Sequence, residues 1–121
     1  MAQRTRSLLR AALLGTVLML PAGQAFATLE RAQAAQARGD LRTAQIELRN
    51  AVRRAPDNAG LRYALAQTSL EMGDADTAEK EARAAIERGH DRVAATALLI
   101  RAQLALNRAR EVLREFAEPA A

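Results

Sequence analysis

The chain changes character near residue 28. Before that point the dominant feature is an uninterrupted apolar run, Ala11–Leu20. Beyond it, helix-forming stretches alternate with brief punctuation, and the pattern predicts helices over 28–38, 41–55, 59–72, 75–88, 92–106 and 109–117. The breaks are Gly39-Asp40, Pro56-Asp57-Asn58, Gly73-Asp74, Gly89-His90-Asp91 and Asn107-Arg108. Gly and Asn accept the left-handed conformation that ends a helix, and Asp or Asn can cap the next one. Pro56 cannot continue a helix interior, so it fixes one boundary. Connections this short fold successive helices antiparallel, as hairpins.

The punctuation repeats. "ARGDLRTAQIELRNAVRRAPDN" (Ala37–Asn58) overlays "EMGDADTAEKEARAAIERGHDR" (Glu71–Arg92) after a shift of 34 residues. Gly39-Asp40 falls on Gly73-Asp74, Ala44 on Ala78, Glu47 on Glu81, Ala51 on Ala85 and Arg54 on Arg88. Helix pairs recurring at this interval are the signature of the tetratricopeptide repeat. Residues 25–121 resemble such an array, two full repeats and most of a third, at about 25–58, 59–92 and 93–121. The fold class expected is all-α: a helical-hairpin solenoid of about two and a half to three repeats following an N-terminal signal segment.

The resemblance assigns structural positions. Small residues fall on Ala32, Ala66 and, less well, Ile100; the turn residue falls on Gly39, Gly73 and Asn107. The second helix carries Ala44, Ala78 and Val112, then Ala51, Ala85 and Pro119, and the repeat closes on Pro56, then His90. The alanines lack bulk, which lets the two helices of a hairpin approach closely. Leu48, Ala82 and Phe116 stand where the family usually has a large residue, so Ala82 predicts looser packing at its site. Each hairpin buries its face only by stacking on the next, so one copy could not fold alone.

In this family the first helix of each pair lines an inner, concave groove. That implies a protein or peptide partner lying across Leu29, Gln33 and Gln36, then Tyr63, Gln67, Leu70 and Glu71, then Ala97, Arg101 and Leu104. Tyr63 and Gln67 are four apart on one helical face, and Gln33 and Arg101 lie one repeat away on either side. Tyr63 has the profile of an interface anchor, with filling the space between helices as the alternative. The carboxylate clamp of chaperone-binding members is not matched, since its positions carry Leu29, Gln33, Ala64, Ala94 and Leu98. The apolar flank near Leu104, Leu113 and Phe116 offers a second surface, for self-association through the C-terminal end.

A finer similarity concerns Ala44–Ala66 ("AQIELRNAVRRAPDNAGLRYALA") and the Gly-His-Asp at 89–91. These are similar to the opening repeats of tetratricopeptide proteins of the PEP-CTERM/exosortase system. That resemblance implies a role beside exopolysaccharide production and protein sorting in the periplasm of a Gram-negative bacterium. It covers the N-terminal part of such proteins, so a truncated fragment of a longer array is an alternative.

Composition narrows the chemistry. With 121 residues there is room for one small domain, and with no Cys there is neither a disulfide nor a thiolate metal site. One His and three aromatics leave little for a metal cluster or for stacking bases. The formal charge of +4 sits largely at the N-terminus, and without residues 1–27 the balance is 15 basic to 14 acidic. With acids interspersed among Arg53, Arg54, Arg101, Arg108, Arg110 and Arg114, no nucleic-acid partner is expected. Asp74, Asp76, Glu79 and Glu81 straddle a turn and a first helical turn, where negative charge complements the helix dipole. His90 reads as a solvated or capping loop residue, and Arg38-Gly39-Asp40 as a helix turn rather than an adhesion tripeptide. Neither catalytic residues nor a metal or cofactor is expected, and the protein reads as a scaffold rather than an enzyme.

The N-terminus reads as an address. Arg4, Arg6 and Arg10 precede the apolar run, and Pro21 and the small residues of "PAGQAFA" follow it, the three-part plan of a secretory signal peptide over 1–27. The repeat domain then occupies 28–121. Ten apolar residues are about half of the roughly 20 that a spanning helix needs. The alternative is an uncleaved inner-membrane anchor holding a multimerising scaffold, with this segment its sole contact with the membrane. Mature protein recovered from cells is expected to begin at Thr28, after Ala25-Phe26-Ala27, or at Phe26 on a second site after Gly23-Gln24-Ala25. N-terminal sequencing checks this, and full-length protein in carbonate-washed membranes would overturn it.

Overall fold

The computed structural model describes residues 22–117. It contains six helices and, among the described residues, no strand: α1 (Ala22–Ala37), α2 (Leu41–Arg54), α3 (Ala59–Glu71), α4 (Ala75–Glu87), α5 (Arg92–Ala105) and α6 (Ala109–Phe116). Five of the six helices match the sequence expectation to within a residue or two. The exception is the start of α1, expected at Thr28 and found at Ala22. The added turns are held by burial of Ala25 and Thr28 and by the Thr28 hydroxyl, which donates to the Gln24 carbonyl at 2.9 Å. Residues 1–21 of the proposed signal segment, and Pro119, lie outside the described residues.

Each Gly-Asp pair closes one helix and opens the next. Gly39 and Gly73 sit at φ +76° and +85°, the left-handed region that glycine enters without steric cost. The following amides then reach back across the helix end, Asp40 to the Ala35 carbonyl and Asp74 to the Ser69 carbonyl, both at 2.8 Å. The same aspartates cap forward, each accepting at 3.2 Å from the amide three residues on, Thr43 or Thr77. Asn107 takes the glycine's place at φ +60°, but Arg108 stands where the aspartate was and makes no side-chain cap. Asn58 and Asp91 cap α3 and α5.

Consecutive helices pack as neighbours, giving the hairpins α1–α2, α3–α4 and α5–α6. The first helices also meet across repeats, α1 with α3 and α3 with α5, whereas no Cα of α2 lies within 8 Å of α4, nor of α4 to α6. The first helices thus form the tight, inner side of the stack and the second helices the splayed, outer side. Among the described residues, no helix is long and apolar enough to cross a membrane.

Alanine occupies the close contacts. Ala32, Ala44, Ala66 and Ala78 are at most 1% exposed, and Ala51 and Ala85 are buried beside them. Bulk comes from a few leucines: Leu48, Leu61 and Leu65 join the first cluster, and Leu98 and Leu99 the second. Ala82 is completely buried in that second cluster, which Tyr63, Leu70, Ile86 and Phe116 cover in part. Ile100 and Val112, the third-repeat counterparts of these small positions, are half-buried. Because Ala78 is completely buried, Ala78→Leu is expected to destabilise by roughly 1–3 kcal/mol through overpacking. A thermal or urea melt of the variant checks this, and a midpoint no lower than the parent's would remove Ala78 from the hairpin contact.

Candidate functional site

The inner side is set by the first helices. Gln33 on α1, Gln67 on α3 and Arg101 on α5 occupy one register and are all exposed. Glu71 is exposed a turn beyond Gln67, and Leu29 and Leu70 are half-buried. Ala97 and Leu104 are exposed on α5, and the last two groove candidates are engaged within the chain. Gln36 donates from Nε2 to the Thr68 hydroxyl at 2.6 Å, tying α1 to α3. Tyr63 is half-buried, its ring stacked on His90 with centroids 4.2 Å apart and planes 17° from parallel. Of the two readings expected for His90, solvated or capping, the structure favours the second, since the side chain is half-buried. Its ring covers Tyr63, and its amide closes α4 by bonding the Ala85 carbonyl at 2.9 Å.

Between repeats, polar side chains cross-link the second helices to the following hairpin. At the first junction Gln45 of α2 donates to the Ser69 hydroxyl at 3.1 Å and to the Asp74 carboxylate at 3.3 Å. Arg49 reaches that carboxylate at 3.3 Å as well. Burial acts to raise the Asp74 pKa, but the Thr77, Gln45 and Arg49 donors outweigh it and hold the group below its ordinary value.

At the second junction the charges are exchanged. Glu79 stands where Gln45 stood and Arg108 where Asp74 stood, and the two form an ion pair. Arg83 donates to both oxygens of Glu115, at 2.8 and 3.1 Å, which keeps that carboxyl below its usual range. The acids at 74–81 thus do more than complement a helix dipole: Asp74 caps α4 and pairs with Arg49, and Glu79 and Glu81 form ion pairs too. Sequence reasoning missed this ladder, although the paired exchange at a repeat's distance was its visible trace.

The outer side opens into a cleft of about 380 Å³ between α2 and α4. Val52, Leu65 and Pro56 form its apolar part, and Arg49, Arg53, Arg62, Lys80, Thr77 and Glu81 complete the lining. Arg62 pairs with Glu81 at 2.8 Å, and both side chains are largely buried, at 14% and 6% exposure. Arg62 also donates from Nε to the Pro56 carbonyl at 3.0 Å, anchoring the interrepeat loop. Among the described residues, no three His, Asp or Glu side chains converge where they could hold a metal ion.

A family model described as Tetratricopeptide repeat matches residues 35–99, spanning α2, α3 and α4 and parts of α1 and α5. No curated protein and no solved structure matches the chain.

Removing one member of a buried ion pair leaves the other charged and without its partner. Arg62→Met is therefore expected to lower stability by about 3–5 kcal/mol, and Arg62→Met combined with Glu81→Leu to recover most of it. Denaturant titration of the three proteins checks this. A single variant as stable as the parent would show that the pair contributes nothing.

Proposed function

The chain belongs to the tetratricopeptide-repeat family, and on that premise we propose that it is an exported, non-catalytic scaffold that holds an extended partner peptide across its inner side. Members of this family generally mediate protein–protein interaction. The observation that carries the inner-side reading is the row formed by Gln33, Gln67 and Arg101, exposed at one register on three adjacent helices. Such a row offers amide and guanidinium groups as hydrogen-bonding partners along an extended chain. Tyr63, half-covered by His90, supplies an aromatic edge beside it.

Export is supported by the basic, apolar and small-residue order of residues 1–27. Placement in the periplasm, beside exopolysaccharide production and protein sorting, is supported by the similarity over Ala44–Ala66. A second reading, self-association through the C-terminal end, is favoured by Leu104 and Leu113, which are 50% and 67% exposed. By the repeat's translation they correspond to Gln36 and Gln45, the residues that contact the following hairpin.

Gln67→Ala with Arg101→Ala tests the inner-side reading without disturbing the core, since both side chains are exposed. Loss of partner capture by at least tenfold, at unchanged helicity and unchanged molar mass in light scattering, is the expected outcome. Retained capture by that variant, together with loss in Leu104→Ser/Leu113→Ser, would move the interaction to the end of the stack. Tyr63→Ala is less diagnostic, because it would also uncover part of the second core cluster.

A further inference from the structure

The outer side contains the same gap twice, with different charge. Shifting the cleft between α2 and α4 by one repeat gives a second one, about 190 Å³, between α4 and α6. The apolar floor survives the shift: Val52 becomes Ile86 and Leu65 becomes Leu99. The rim survives only in part: Arg49 becomes Arg83 and Lys80 becomes Arg114, but Arg53 becomes Glu87 and Arg62 becomes Thr96. The second gap is lined by two bases and two acids, and Arg83 is taken up by Glu115. The first is lined by four bases and one acid, and that acid is already paired with Arg62.

The fold therefore requires the floor of this gap and not the positive charge at Arg53. Arg53 sits in the last turn of α2, where a cation complements the helix dipole. That cannot be why it is needed, since Glu87 fills the equivalent last turn of α4. Arg49 shares Asp74, whereas Arg53 and Lys80 are exposed and make no ion pair among the described residues. A recess lined by one sign of charge over low-dielectric walls concentrates ligands of the opposite sign.

We propose that the cleft between α2 and α4 is a second binding site, for a short acidic peptide segment of a partner protein. An apolar side chain of the segment packs on the exposed Pro56 ring at the mouth of the cleft, and its flanking carboxylates meet Arg53, Lys80 and the exposed edge of Arg49. Pro56, exposed in the lining, selects a peptide over a small inorganic anion, which would leave its ring in water. The volume is within the range of ligand-sized clefts and holds a side chain or two. The site faces away from the inner side, so it neither depends on the groove nor competes with it.

The test uses the 121-residue chain and three probes: a blocked peptide with a leucine flanked by glutamates, its glutamine counterpart, and inorganic phosphate. Amide chemical shifts locate the binding, and a titration gives its strength. The acidic peptide is expected to perturb α2 and α4, and the glutamine peptide to bind at least tenfold more weakly. Arg53→Glu with Lys80→Glu, both exposed positions, should abolish the binding while helicity is kept. Gln67→Ala/Arg101→Ala should leave it unchanged, which separates its failure from that of the inner-side reading. Equal binding of the two peptides, phosphate as strong as the acidic peptide, no binding at all, or shifts confined to α1, α3 and α5 would each overturn the proposal.

Discussion

Close approach of helices at alanine is the constraint on which the structure depends. Ala32 and Ala44 in the first hairpin, and Ala66 and Ala78 in the second, are buried and bring only a methyl group each to the helix contacts. That geometry gives dense contact but little apolar area per residue, and hydrophobic stabilisation grows with the area buried. Of the three aromatics besides His90 among the described residues, Phe26 is exposed, and Tyr63 and Phe116 cannot make up the deficit in a core this size. The hairpin must therefore find its remaining surface in the next hairpin, so the contact that makes the pair also makes the stack.

Stacking on alanine leaves the second helices apart, and polar side chains bridge the distance. Gln45 and Arg49 span the first junction to Ser69 and Asp74; Glu79 and Arg83 span the second to Arg108 and Glu115. The exchange of Asp74 for Arg108 has a cost at α6, which loses its side-chain cap. An N-terminal cap contributes about 1 kcal/mol. Partly exposed ion pairs such as Arg108–Glu79 contribute at most a similar amount. The second junction is thus no better held than the first, and α6, with no fully buried residue, is its weakest member.

How much of this could be read from the sequence follows from which interactions are local. Gly39-Asp40 and Gly73-Asp74 dictate a left-handed turn and a cap within five residues, so five of six helices were legible and so was the repeat. The start of α1 was not, because Ala22–Ala27 holds no cap or breaker after Pro21, and its helicity depends on burying Ala25 and Thr28 against distant residues. The register of Gln33, Gln67 and Arg101 was legible because translation by a repeat preserves it. The engagement of Gln36 by Thr68, and of Tyr63 by His90, was not. Both partners lie across a helix–helix or helix–loop contact whose geometry no local pattern encodes.

A repeat also supplies its own control for what packing requires. Positions that keep their character between copies, such as Val52 with Ile86 and Leu65 with Leu99, are answerable to the stack, since each copy must bury the same face. Positions that change sign at unchanged architecture, such as Arg53 with Glu87, are not. Charge at such a position is free to answer to something outside the fold. The inner and outer sides differ in how far this freedom extends. On the inner side the first helices touch, so Gln36 and Tyr63 are drawn into holding α1, α3 and the loop before α5 together. On the outer side the helices splay, Arg53 is exposed at a position whose sign the next copy reverses, and Lys80 is exposed beside the same cleft. The splay that alanine packing produces is therefore what leaves the outer cleft open and its charge available.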